Sequence, residues 1–260
     1  MKNALSRWWR AAVFGLCFAL FGLGCALIGL FLWPLSLLLP RHGWREKTAK
    51  NFIRRAIGLF VWIMQMTGAM NLTVQGAEKL QREGLLVLAN HPSLIDVVIL
   101  MSLIPRPDCV VKAALWRNPV TAGPVRLAGY ISNATGPQLV ADAVSSMERG
   151  NNLIVFPEGT RTVPGGDMRF QRGAANIAVR GQRLITPVVI TVSEQTLTKG
   201  SKWYRPPPRR PHFHVEVLDD VAVGTLVAGT EEPALQARWL TTWLEQFFKR
   251  EITGYGPADR

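Results

Sequence analysis

Leu85-Leu86-Val87-Leu88-Ala89-Asn90-His91-Pro92-Ser93-Leu94-Ile95-Asp96 decides the architecture. Five consecutive apolar residues over 85–89 read as a short buried strand, bounded by a polar residue and a proline. Pro92 holds the residue before it out of the helical region, so His91 falls in a strand-to-helix loop. A helix is predicted over 96–103, with Asp96 in its first turn. On one regular helix, five residues at about 100° each would leave His91 and Asp96 about 140° apart. With His91 in the loop, the carboxylate can curl back toward the imidazole. A carboxylate on one ring nitrogen fixes the tautomer and leaves the other nitrogen free as a base. Ser93-x-x-Asp96 also approaches a capping box, in which Asp96 only closes the helix start. The residues alone leave both readings open.

A second strand-to-turn junction follows at Phe156-Pro157-Glu158-Gly159-Thr160-Arg161-Thr162, directly after the apolar run 153–155. Pro157 and Gly159 force a turn that presents Glu158, Thr160 and Arg161 at the strand's C-terminal end, where α/β sheets bind ligands. Arg161 offers a planar fork suited to phosphate. An ordinary surface turn with a solvated arginine is the plain alternative.

Around these junctions, strands are predicted over 85–89, 109–112, 153–156, 186–192 and 214–218. Helices are predicted over 96–103, 138–149, 174–180 and 233–249. This alternation gives an α/β fold, a mixed central sheet flanked by helices. There is no internal repeat. Arg205–Pro211, RPPPRRP, reads as a stiff, extended basic loop.

Upstream the composition changes. Residues 11–39 carry no ionisable side chain other than Cys17 and Cys25. A bilayer core of about 30 Å needs roughly 20 helical residues, so the run is long enough to span, or to dip in and turn at Pro34. It is too long for the apolar region of a cleaved signal, and no A-x-A site follows it. A second helix is predicted over 41–70, with Phe52, Ile53, Ile57, Phe60, Val61 and Met64 at helical spacing and Lys47, Lys50, Arg54 and Arg55 near its start. Such a helix either lies in the membrane interface or packs on the soluble core. The expected division is 1–70 as membrane anchor and interfacial helix, and 71–260 as catalytic domain.

The 260 residues carry a net charge of +12, which points to a polyanionic partner. Within residues 1–60 nine Lys and Arg face only Glu46, and they bracket the apolar stretch without interleaved base-stacking aromatics. That pattern selects anionic lipid over nucleic acid and sets the bulk of the chain on the cytoplasmic face, the inner membrane if the source is bacterial. Cys17, Cys25 and Cys109 form no C-x-x-C pair, so neither a disulfide framework nor a zinc site is indicated. His42, His212 and His214 have no acid at ligand spacing, and the latter two are expected to flank a strand.

Taken together, His91-x-x-x-x-Asp96 and Phe156-Pro157-Glu158-Gly159-Thr160-Arg161, both at strand ends, resemble the glycerolipid acyltransferase family, especially the 1-acylglycerol-3-phosphate O-acyltransferases. Lys112, Leu115, Pro119, Gly123, Gly129 and Ile131 look like the family's second block, and Ile185-Thr186-Pro187-Val188-Val189 like its fourth. Phe170-Gln171-Arg172-Gly173-Ala174 resembles the segment after the Glu-Gly-Thr-Arg turn. The resemblance runs from about 85 to 192.

It implies a fatty acyl transfer from acyl-CoA or acyl-carrier protein to a hydroxyl of lysophosphatidic acid or a similar lysolipid. His91 would be the general base and Asp96 its orienting carboxylate. Glu158, Gly159, Thr160 and Arg161 would hold the acceptor, with Lys112 assisting. No acyl-enzyme on Ser93, no metal and no bound cofactor are expected. The chain departs from the family at Ala113 and Ala114, where a lysine and a glutamate are common, and at Ser132-Asn133-Ala134-Thr135, where a basic residue is common. These changes thin the positive charge and leave open another hydroxylated lipid as acceptor. A hydrolase is disfavoured because no Gly-x-Ser-x-Gly elbow is present. A non-catalytic lipid-binding protein on the same fold is the alternative from another class.

Overall fold

The strand that precedes His91, β2 (Leu86–Ala89), is buried at every position. Its side chains alternate between two cores: Val87 and Ala89 face one, Leu86 and Leu88 the other. A strand covered on both faces needs apolar residues throughout, and this is why β2 reads as an unbroken apolar run. The computed structural model describes residues 2–38, 43–136, 138–163, 166–201, 206–229 and 231–254.

Around β2 stand β1 (Asn71–Gln75), β3 (Pro107–Val111), β4 (Ile131–Ser132), β5 (Asn152–Val155), β6 (Ile185–Val192) and β7 (His212–Val217). They form one sheet in the order β1-β7-β6-β2-β5-β3-β4. All neighbours are parallel except β6 and β7, so the sheet is mixed, as expected. Strands β2 to β6 therefore end on the same edge. The helices are α1 (Lys2–Leu27), α2 (Trp33–Leu37), α3 (Gly43–Met66), α4 (Asp96–Leu103), α5 (Ala113–Arg117), α6 (Ala122–Ala128), α7 (Gln138–Glu148), α8 (Arg172–Gly181), α9 (Val223–Leu226) and α10 (Pro233–Gly254). α1, α3, α4 and α6 cover one face of the sheet, and α7, α8 and α10 the other.

Three expectations need correction. Strands β1 and β4 were not foreseen. His212 and His214 lie within β7 instead of flanking it, and His212 Nε2 is 2.8 Å from Thr73 Oγ1 on β1. Pro34 does not break the apolar run. A π-helical turn, Ile28–Leu32, connects α1 to α2, and Trp33 N–H reaches back to Ile28 O. This wider turn places Pro34 at the start of α2, where a missing N–H is harmless. The resulting helix from Trp8 to Leu37 is long and apolar enough to cross a membrane. The expected ends at Leu39 and Arg41, together with His42 and Arg205, lie outside the described residues.

Of the two readings open for α3, the second holds: it packs on the sheet's domain, and two of its cations serve that packing. Lys50 is fully buried, 2.6 Å from Asp108 Oδ2 and 3.1 Å from Glu46 Oε1. Ser146 Oγ donates to the same Asp108 oxygen at 2.5 Å. Arg54 donates to the carbonyls of Ser102 and Leu103 at the end of α4. The opposite face of α3 leaves Phe52, Leu59, Trp62 and Met66 exposed, beside the exposed Leu16, Leu20, Leu23 and Leu30 of the N-terminal helix. Gly29 of the π turn meets Gly123 of α6 so closely that a Cβ on Gly123 would lie 2.1 Å from the Gly29 Cα.

Candidate active site

His91 follows β2 by two residues, and Asn90 fixes that strand end. Asn90 donates from Nδ2 to Ile190 O at 2.8 Å and accepts the Ile190 N–H at 2.7 Å, a two-way link to β6. The imidazole is 15% exposed. One side stacks on Phe156, with ring centroids 4.1 Å apart, and Nδ1 lies 2.9 Å from Asp96 Oδ2. With the carboxylate on Nδ1, that nitrogen carries the proton and Nε2 keeps its lone pair.

Of the two roles that the sequence left open, Asp96 takes the one toward the imidazole: the N-cap of α4 is Ile95, with no side-chain cap, so the capping box does not form. Its Oδ2 also accepts the Ser93 N–H at 2.6 Å, which holds the loop before the helix. It is completely buried, and Oδ1 finds no partner among the described residues. Burial pushes its carboxyl up to about 6, although the His91 bond pulls it down. Ser93 Oγ is buried against the Ile95 N–H, turned into the helix start.

The Phe156–Thr162 turn is joined to this loop through the backbone of His91. The His91 N–H donates to Glu158 Oε1 at 2.8 Å, and the His91 carbonyl accepts the Thr162 N–H at 2.8 Å. Glu158 is 6% exposed, and its Oε2 accepts from Thr162 Oγ1 at 2.8 Å. Both of its oxygens are therefore engaged within the protein, and burial pushes its carboxyl up. Gly159 sits at φ +66°, in the region that disfavours a side chain, and its turn is closed by its N–H to Phe156 O at 3.0 Å. Thr160 is half-buried.

Arg161 is half-buried and donates from Nη1 to the carbonyls of Leu197 and Thr198 at 2.7 and 3.1 Å. Leu94 N–H reaches the same Leu197 carbonyl, so the loop after β6 closes over both motifs. Among the described residues, Arg161 Nε and Nη2 make no hydrogen bond. Lys112 is exposed at the end of β3, on the edge where β2 and β5 also end.

Beside the pair, a cavity of about 230 Å³ opens between the N-terminal helix, α3, α4, β3 and α6. Its lining is almost wholly apolar and includes Val97 and Val98, the two residues after Asp96.

Comparison with known proteins bears on this arrangement. The acyltransferase family model matches residues 71–191. The human 1-acyl-sn-glycerol-3-phosphate acyltransferase beta is 30% identical over 238 residues, covering 87% of this chain and 80% of that protein. The 1-acyl-sn-glycerol-3-phosphate acyltransferase from Limnanthes douglasii is 30% identical over 202 residues, covering 74% of this chain and 68% of that protein. The chain belongs to the glycerolipid acyltransferase family.

A Caenorhabditis elegans protein is 36% identical over 159 residues, and the chain spans about half of that relative's length. The crystal structure of the Thermotoga maritima 1-acyl-sn-glycerophosphate (LPA) acyltransferase, PlsC, superposes with a TM-score of 0.70 over 96% of this chain and 98% of that one, at 18% identity. That likeness establishes the fold. Within the family framework, the two departures of this chain meet in space: Asn133 Oδ1 accepts the Ala113 N–H at 3.0 Å and so closes the start of α5. One contributor and one residue's role escaped the sequence reading. Asn90 carried a faint signal, a polar residue ending an apolar strand. Glu158 read as a ligand contact, and nothing in the turn's sequence marked it as the acceptor for the His91 amide.

Proposed function

We propose that this protein transfers a fatty acyl group from an acyl thioester to the free hydroxyl of 1-acylglycerol-3-phosphate. The observation that carries this reading is the backbone clamp between the His91 loop and the Glu158–Thr162 turn. It sets a carboxylate-backed imidazole and a guanidinium on one sheet edge. The names of the human and plant relatives supply the acceptor class.

In this mechanism His91 Nε2 takes the proton of the acceptor hydroxyl, and the oxygen attacks the thioester carbonyl. The tetrahedral oxyanion collapses, the C–S bond breaks, an ester C–O bond remains, and the proton passes to the departing thiolate. Asp96 holds the ring and stabilises its protonated form. The free edge of Arg161, with Lys112, receives the acceptor phosphate. Glu158, Gly159 and Thr160 shape the turn that presents it, so Glu158 acts as a positioning residue. The acyl chain lies in the apolar cavity beside Asp96. Neither a metal nor a bound cofactor takes part. The donor is an acyl-CoA or an acyl-carrier-protein thioester.

Membrane placement follows the same reading. Residues 1–70 anchor the catalytic domain, 71–260, with the exposed leucines of the N-terminal helix in lipid and the basic excess on the cytoplasmic side. Purified protein in detergent is given acyl-CoA or acyl-carrier protein together with lysophosphatidate and a panel of other lysolipids. Thiol release matched by diacyl product with lysophosphatidate supports the assignment. Thiol release without acylated lipid, or product only from a different acceptor, removes it.

A further inference from the structure

On β5, Leu153 packs into one core and Ile154 into the other, so the next side chain on the Ile154 side is that of Phe156. The register pairs Leu88 with Val155, which puts Phe156 one step past the last pair, beside Ala89 and two residues short of His91. Its half-buried ring ends flat against the imidazole, with centroids 4.1 Å apart and planes inclined by 23°.

This contact supplies what the Asp96 bond cannot. The bond at Nδ1, 2.9 Å long, fixes one direction and leaves the ring free to turn about it. A second ring against the face removes that freedom and aims Nε2, the kind of restraint that catalytic proximity needs. The stack also discriminates between protonation states. An aromatic face carries negative charge in its quadrupole and attracts a cationic ring more than a neutral one. In the mechanism above, the imidazole is neutral before attack and cationic once it has taken the acceptor's proton. The attraction therefore grows toward the transition state, and an interaction of that kind lowers the barrier.

We infer that Phe156 is a positioning residue, whose aromatic face sets the tilt of His91 and stabilises the protonated ring that forms during acyl transfer. A leucine or methionine would fill the same space without the π face. Phe156 acts through His91, so the inference rests on the acyltransferase reading, and the test separates the two.

Full-length wild type, Phe156→Leu, Phe156→Met and Phe156→Tyr are assayed in detergent with lysophosphatidate and acyl-CoA or acyl-carrier protein, each substrate varied in turn. The leucine and methionine variants are expected to lose about five- to thirtyfold in kcat, with both KM values within about twofold of the wild type. Phe156→Tyr, which restores the π face, is expected to recover kcat to within about threefold. Wild-type kcat in either aliphatic variant, a loss carried by KM alone, or a tyrosine variant as slow as the aliphatic ones overturns the role of Phe156 and leaves the acyltransferase reading standing. A wild type that forms no diacyl product overturns both.

Discussion

The main-chain amide of His91 donates to the side chain of Glu158 at 2.8 Å. Sixty-seven residues separate the two, yet this bond and its neighbour at Thr162 turn two strand-end loops into one rigid corner. A buried carboxylate already bonded to an amide and a hydroxyl is a poor phosphate ligand, and this is why Glu158 is read as a scaffold and Arg161 as the anion contact.

Glu158→Ala removes both acceptors. The His91 amide is then left buried and unpaired, at a cost of about 1–3 kcal/mol. Thermal melting should show that loss, and kcat should fall at least tenfold because the imidazole is no longer held. An unchanged kcat in a destabilised variant would separate Glu158 from the imidazole's placement.

Arg161→Ala should raise the KM for the lysophosphatidate acceptor more than it lowers kcat, because a ground-state phosphate contact is lost. Steady-state kinetics with varied acceptor reads this directly. An unchanged acceptor KM would confine Arg161 to bracing the carbonyls of Leu197 and Thr198.

The carboxyl of Asp96 is raised from 3.8 to about 6 by burial. The folded chain thus holds this proton more tightly than the unfolded chain does. Its contribution to stability is full below about pH 3.8 and is lost as pH rises through about 6. Activity runs the other way, since protonating Asp96 strips the charge that supports a protonated His91. Melting temperature against pH, paired with kcat, should therefore show opposite slopes between about pH 4 and 6. Asp96→Asn should flatten this component of the stability profile and reduce kcat by about 10²–10⁴-fold.

Far from the site, Lys50 and Asp108 form a buried ion pair that joins α3 to β3. Removing one partner leaves the other charge buried and unpaired, so Lys50→Met should destabilise the protein by about 3–5 kcal/mol. Glu46, 3.1 Å from Lys50, keeps Arg149 at 3.3 Å and the Asn151 amide as partners, so the penalty falls on Asp108. Chemical denaturation measures the change, and a loss below about 1 kcal/mol would contradict the buried pairing.

The sequence made the central strands and the site-bearing loops legible because both faces of β2, β5 and β6 are covered, which demands apolar runs that stand out. β1 and β4 lacked that signal. β1, NLTVQ, is a half-buried edge strand, and β4 is two residues long. His91 and Asp96 were legible through Pro92, which dictates the local backbone. The partners of Lys50 and Glu158 were not, since each pairs with a residue more than fifty positions away. A basic residue on an amphipathic helix reads as solvated until the fold brings Asp108 beneath it. Pro34 misled because a proline cannot by itself reveal that a π turn will absorb it.

Thiol release coupled to diacylglycerol phosphate formation, compared between wild type and His91→Ala at matched fold and membrane association, bears most directly on the assigned chemistry. With the base removed, turnover should drop by about 10²–10⁴-fold while the melting profile stays close to that of the wild type. A His91→Ala protein that acylates lysophosphatidate at the wild-type rate would show that the imidazole backed by Asp96 does not carry the reaction.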